Sequence, residues 1–183
     1  IANIKLSLKL SSVELQNALN GNLDQDVRIS SISEVDKSFH ARFSALYREY
    51  EYHISKKINP INRLYTTPLK YKISINKLKR CEKLLIGDHD FTQFCKSTAE
   101  VDNKKCSIDF AKWEESDIKL IFRIKANRFL QHMVRYLVGT MLEVARGRYV
   151  YENFENLLNN FENQAVVVRA PSQGLYLKKV YYY

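Results

Sequence analysis

The chain of 183 residues is 45% hydrophobic and 27% charged, a globular composition long enough for one sizeable core or two small ones; disordered, collagen-like and disulfide-scaffold classes are excluded. No uncharged apolar run approaches the roughly 20 residues of a membrane helix, and the amino end lacks a secretory pattern, so the sequence predicts a soluble, cytoplasmic protein. Lysine and arginine outnumber aspartate and glutamate 29 to 20, a net charge of +9, which makes nucleic acid the leading partner class.

In chain order, Ile4 to Leu10 alternates apolar and polar side chains as a half-buried strand does, and Ser11 or Ser12 then caps a short helix to about Leu19. Val27 to Val35 reads as another strand. Tyr47 to Ile54 puts Tyr50, Tyr52 and Ile54 on one strand face and Glu49, Glu51 and His53 on the other. Residues 56–67 form a long connection. Ser74 caps a helix with Ile75, Leu78, Cys81 and Leu85 on its buried stripe, closed by Gly87, and GDHDFTQF follows as a loop. Lys105 to Trp113 and Ile118 to Ala126 look like an antiparallel pair. Arg128 to Arg146 carries the longest helical pattern, a last helix covers Glu152 to about Phe161, and Gly174 to Tyr183 closes the chain as a strand. Strands and helices lack the spacing of a parallel sheet, which predicts an α+β fold with a mainly antiparallel sheet flanked by helices.

Three cysteines, Cys81, Cys95 and Cys106, form no CxxC pair and read as buried inert thiols, and no histidine has metal-ligand spacing with another His or Cys. The sequence has no P-loop, GxGxxG, nucleophile elbow or zinc motif, which disfavours a cofactor enzyme. Asp88 and Asp90 are close carboxylates whose place after Gly87 suits turn chemistry better than acid/base work. Phe129, Met133, Leu137, Met141 and Val144 make a core stripe, while Arg128, His132 and Arg135 at i, i+4 and i+7 share a second helix face. That face reads either as solvated basic surface or, because Arg135 lies between Val134 and Tyr136, as a partly buried guanidinium that needs an anionic partner. Tyr50 and Tyr52 are either sheet aromatics or include one ring held beneath a cleft to stack on a base.

FHARFSA (residues 39–45), REYEY, GDHDFTQF, KANRFLQHMVRYLVGTMLEVARGR and SQGLYL, in this order and spacing, resemble the successive motifs of the tRNA pseudouridine synthase A (TruA) family. The resemblance covers nearly the whole chain. It implies a pseudouridine synthase-like fold and a cofactor-free, metal-free, usually dimeric enzyme that isomerises uridine to pseudouridine in the anticodon arm of tRNA, at nucleotides 38 to 40. The tyrosine of the family's RxYxY strand falls on Tyr50, whose ring would stack on the target base and assist proton removal. The HMVR arginine falls on Arg135, which would hold the catalytic aspartate ionised, and the GLYL leucine on Leu175, an apolar wall beside the base. His40, Arg42, Arg48, Asn127, Arg128 and His132 fall in segments that line the RNA cleft.

One departure from the family pattern bears on activity. The family's catalytic aspartate lies in an RTD-containing loop upstream of the FHARFSA segment, and none of the eight aspartates of this sequence has that context. The expectation is that residues 1–36 are a remnant of the amino-terminal catalytic half and residues 37–183 the carboxy-terminal half, together an inactive fragment. The alternative is a naturally truncated RNA-binding protein without catalysis.

Overall fold

The computed structural model describes residues 1–7, 9–96, 102–161 and 164–182. They form two compact units, Ile1–Ala45 and Leu46–Tyr183.

In the first unit, helix α1 (Ser12–Asn22) starts at a capping box: the Ser11 hydroxyl accepts from Glu14 N, and the Glu14 carboxylate accepts from Ser11 N at 2.8 Å. The two strands expected at residues 4–10 and 27–35 are absent among the described residues, Leu8 lying outside them. An alternating pattern becomes a strand only where a neighbour satisfies its backbone groups. Here side-chain amides of α1 do so instead: Asn20 Oδ1 accepts from Ile29 N at 2.8 Å, and Asn20 Nδ2 and Gln16 Nε2 each donate to Ile29 O at 3.0 Å.

The second unit is built on a six-stranded sheet. Its strands are β1 (Tyr47–Ser55), β2 (Thr67–Pro68), β3 (Gly87–Asp90), β4 (Lys105–Glu115), β5 (Lys119–Ala126) and β6 (Leu175–Tyr181). The order is β2-β1-β5-β4-β3, with β6 also pairing β1. Every described pairing is antiparallel except β1 with β2. The expected α+β class, with a mainly antiparallel sheet and flanking helices, is therefore observed. Tyr183, assigned to the last strand, lies outside the described residues.

Among the described residues, three α-helices belong to this unit: α2 (Ile75–Leu84), α3 (Met133–Ala145) and α4 (Tyr151–Leu158). Leu78 and Cys81 of α2 are buried as expected, but Ser74 makes no side-chain cap; its N–H donates to Ala145 O at 2.9 Å and ties α2 to the end of α3. Leu85, expected within the helix, is its C-cap, and α4 ends at Leu158 instead of Phe161, Asn160 having φ 56°. GDHD, read as a loop, is strand β3: Gly87, at φ 102°, turns the chain out of α2 and sets Gly87 to Asp90 opposite Ile108 to Lys105. Asp90 does the turn work expected of it, its Oδ1 accepting from Thr92 N at 2.9 Å and Thr92 Oγ at 2.6 Å.

Helix α3 is buried almost all round, as a helix at the centre of a core must be. Its stripe packs with Tyr52, Ile54, Trp113, Leu120, Phe122, Ile124, Phe91 and Phe94 in one core. Only Arg135 and Tyr136 of its residues are less than fully buried, so the helix opens outward at its first turn. The three cysteines are free and buried, and burial pushes the thiols of Cys81 and Cys106 up to about 12 and about 11. No helix among the described residues is long and apolar enough to cross a membrane.

Candidate active site and RNA-binding face

Strand β1 supplies the platform. Tyr50 pairs in register with Ile124 of β5 on one side and Leu177 of β6 on the other, and Tyr52 pairs with Leu175. The β1–β6 register shifts between Glu49 and Tyr50, a bulge of the kind that re-aims side chains beside functional sites. Tyr50 is half-buried, its ring edge-on to Phe129 at 5.0 Å between centroids. Burial raises its phenol above the ordinary tyrosine value, against a lowering from Arg48, so the hydroxyl stays protonated at neutral pH.

Tyr52, one turn of the pleat away, is fully buried and holds the platform to its surroundings. Its hydroxyl pairs with Thr67 Oγ at 2.7 Å and donates to Pro171 O at 2.8 Å. Gly174 lies against this latch so closely that a Cβ would sit 2.8 Å from both His53 O and the Tyr52 ring. Thr67 and Pro171 give no signal in the sequence, because the contact joins segments far apart in the chain.

Arg135 sits on the first turn of α3, half-buried as its apolar flanks suggested. Its Nε donates to Ala170 O at 2.7 Å, and its own carbonyl accepts from Ala170 N at 3.0 Å. Among the described residues the partner of this guanidinium is thus a carbonyl, and no carboxylate forms an ion pair with it. Val168 N donates to Thr140 Oγ at 3.0 Å, so residues 168–170 lie as an extended strap pinned along α3. Gly139 makes this possible: a Cβ there would stand 2.0 Å from Val168 O. A glycine inside an apolar helix was the one sequence signal of the strap.

The basic residues divide by position. The helical pattern from Arg128 is not observed as far as residue 132: α3 starts at Met133, and His132 adopts a left-handed backbone at φ 65°. Arg128, His132 and Arg135 therefore do not share one helix face; residues 127–132 are a loop between β5 and α3. Asn127 is anchored there, its N–H and side-chain oxygen bonded to the Ser107 backbone at 3.1 and 3.0 Å, while its carbonyl accepts from Arg48 Nη at 2.8 Å. Burial, then the charges of Arg135, Arg169 and Lys96, hold the His132 imidazole below its ordinary value. The Arg135 guanidinium is lowered likewise, by burial first and then by Arg169.

His40 and Arg42 belong to the first unit. His40 Nδ1 accepts from Arg42 N at 3.1 Å and from Phe43 N at 3.3 Å, and the Arg42 guanidinium lies 5.5 Å from the centre of the Phe43 ring. His40, Arg42 and Phe43 are exposed on this turn. In the second unit, Tyr50, Leu175, Arg48, Asn127, His132 and Arg135 lie on β1, β6, the β5–α3 loop and the adjoining helix turn. Two clefts of about 810 and 180 Å³ take in none of Tyr50, Arg135 and Leu175, the smaller being lined by Thr67, Pro171 and the 168–170 strap. Among the described residues no three His, Cys, Asp or Glu side chains are grouped to hold a metal.

The chain is similar to known proteins. A family model described as tRNA pseudouridine synthase matches residues 82–183. Proteins named tRNA pseudouridine synthase A are similar along nearly the whole chain: that of Bacillus pumilus is 38% identical over 90% of this chain and 68% of its own length. The chain belongs to the tRNA pseudouridine synthase A family. The Exiguobacterium member is 34% identical over 100% of this chain and 74% of its own length, and the Chlorobium limicola member 36% over 100% and 75%. The family is one of isomerases, and Tyr50, Arg135 and Leu175, the residues the resemblance singles out, lie on β1, α3 and β6 of this chain.

Proposed function

We propose that this chain carries part of the active site of a cofactor-free enzyme that isomerises uridine to pseudouridine in the anticodon stem-loop of tRNA, at nucleotides 38 to 40. The observation that carries this reading is the grouping of Tyr50, Leu175 and Arg135 around one latch: β1 and β6 pair in register, and the 168–171 segment is bonded to both Arg135 and Tyr52. Residues 1–36 then belong to the amino-terminal catalytic half and residues 37–183 to the carboxy-terminal half. The intact enzyme is a cytoplasmic homodimer.

In this reading the target uridine leaves its stack, at a cost of a few kcal/mol offset by a basic face. The base lies on the Tyr50 ring with Leu175 beside it, an arrangement that excludes water and restricts the freed uracil to rotation in place. The C1′–N1 bond breaks and a C1′–C5 bond forms; the C5 proton is lost and N1 gains one, so the exchange balances without a cofactor. A carboxylate that assists glycosidic cleavage is held ionised by Arg135. Because the Tyr50 phenol is raised by burial, stacking is its first role, and proton removal requires the bound base to change its surroundings.

None of the eight aspartates stands in an RTD context, so the chain alone binds tRNA without turning it over. Tritium release from a transcript labelled at uridine C5 tests this. With chain in excess, no release above background is expected; release at a rate typical of enzymes contradicts the assignment of the missing carboxylate.

A further inference from the structure

The strap at residues 168–170 presents a cation that the family motifs do not include. Val168 and Ala170 are both pinned to α3, by Thr140 Oγ and by the Arg135 backbone and Nε, and Arg169 stands exposed between them. Its main chain is therefore fixed, and the ordering entropy of placing the guanidinium is partly removed before any ligand arrives. A further cation, Lys96, and the His132 imidazole lie at the same turn. Lys96 N donates to Gln131 O at 3.2 Å, which sets Lys96 beside His132, the residue that caps α3.

Arg169 adjoins Ala170, which is bonded to Arg135, and Lys96 is bonded to the neighbour of His132, so the cations Arg169, Arg135 and Lys96 gather about one turn; their charges, after burial, hold the His132 imidazole below its ordinary value. Like charges gathered on one turn raise the local potential and destabilise one another unless an anion joins them. Arg135 is engaged by Ala170 O through Nε, while Arg169 is exposed and Lys96 and His132 are half-buried beside it.

We propose that Arg169, Lys96 and His132 form a phosphate subsite beside Arg135 that takes one backbone phosphodiester of the RNA whose base is stacked on Tyr50. The inference rests on the RNA-modifying reading above and adds to it a register-setting contact, since phosphate contacts fix the orientation of a bound strand without reading its sequence. An arginine suits the role because its planar fork donates two parallel bonds to a phosphate.

Fluorescence anisotropy with an end-labelled, unmodified tRNA transcript, titrated with the full chain between 50 and 200 mM salt, provides the test. For Arg169→Gln the slope of log affinity against log salt should be shallower than for the unaltered chain by about 0.7 to 1, the loss of one phosphate contact. Arg169→Lys should keep most of the slope. Lys57→Gln, on the exposed turn after β1, should leave it unchanged. Urea midpoints equal to that of the unaltered chain establish that the exposed substitution has not perturbed folding. Tight, salt-dependent binding with the same slope for Arg169→Gln overturns the subsite alone; failure of the unaltered chain to bind the transcript overturns the RNA reading and the subsite with it.

Discussion

In the proposed reading, Tyr50 concentrates the chemistry of the site in one ring. Stacking of a base on an aromatic side chain contributes about 1–3 kcal/mol. Tyr50→Ala should weaken binding of an unmodified tRNA transcript by that amount, and Tyr50→Phe should retain it, as read by anisotropy titration; equal losses for both would assign the affinity to the hydroxyl. Glu82 makes a second residue-scale expectation. Burial raises its carboxyl above the ordinary 4.5, against the bond from Trp113 N and the charges of Lys79, Lys112 and Lys83. A raised acid contributes stability below its unfolded value and loses it as pH rises through the folded value. The stability of the unaltered chain relative to Glu82→Gln should therefore fall as pH rises from about 4 to 7, and urea unfolding of both proteins would contradict this if the difference stayed flat or rose. The half-burial of Arg135 was legible because it is one charge in an apolar run, whereas Tyr50 and Tyr52 read alike in the strand and only the family resemblance singles out Tyr50. Arg169, Lys96, Thr67 and Pro171 were not legible, since their partners are brought to them only by folding.

At the scale of elements, α3 and its strap decide the geometry. Replacing a mid-helix glycine by alanine normally gains about 1 kcal/mol of helix propensity. At Gly139 the sign should reverse, because the added Cβ meets the Val168 carbonyl at 2.0 Å and that backbone is pinned. Gly139→Ala is expected to destabilise the chain by about 1–3 kcal/mol in urea unfolding, as overpacking does; a stabilised variant would show the strap to be loosely held. Periodicity located β1, β4, β5, β6 and the helices to within a few residues, because those segments pack against one core. It failed at 4–10 and 27–35, where alternation found no partner strand, at GDHD, where a strand of four residues is too short to show a period, and at 128–132, where a left-handed His132 delays the helix.

At the scale of the molecule, the charge of +9 and the basic groups about the first turn of α3 make salt the most telling variable. Family membership rests on motif order and on relatives matched along nearly the entire chain. Function rests on whether the Tyr50 and Arg135 face meets RNA. The measurement that tests this most directly is the affinity of the chain for an unmodified tRNA transcript as a function of salt. If this face meets RNA, log affinity falls linearly and steeply with log salt, as counterion release dictates. Absence of binding, or an affinity indifferent to salt, would contradict it and favour a structural or dimerisation role.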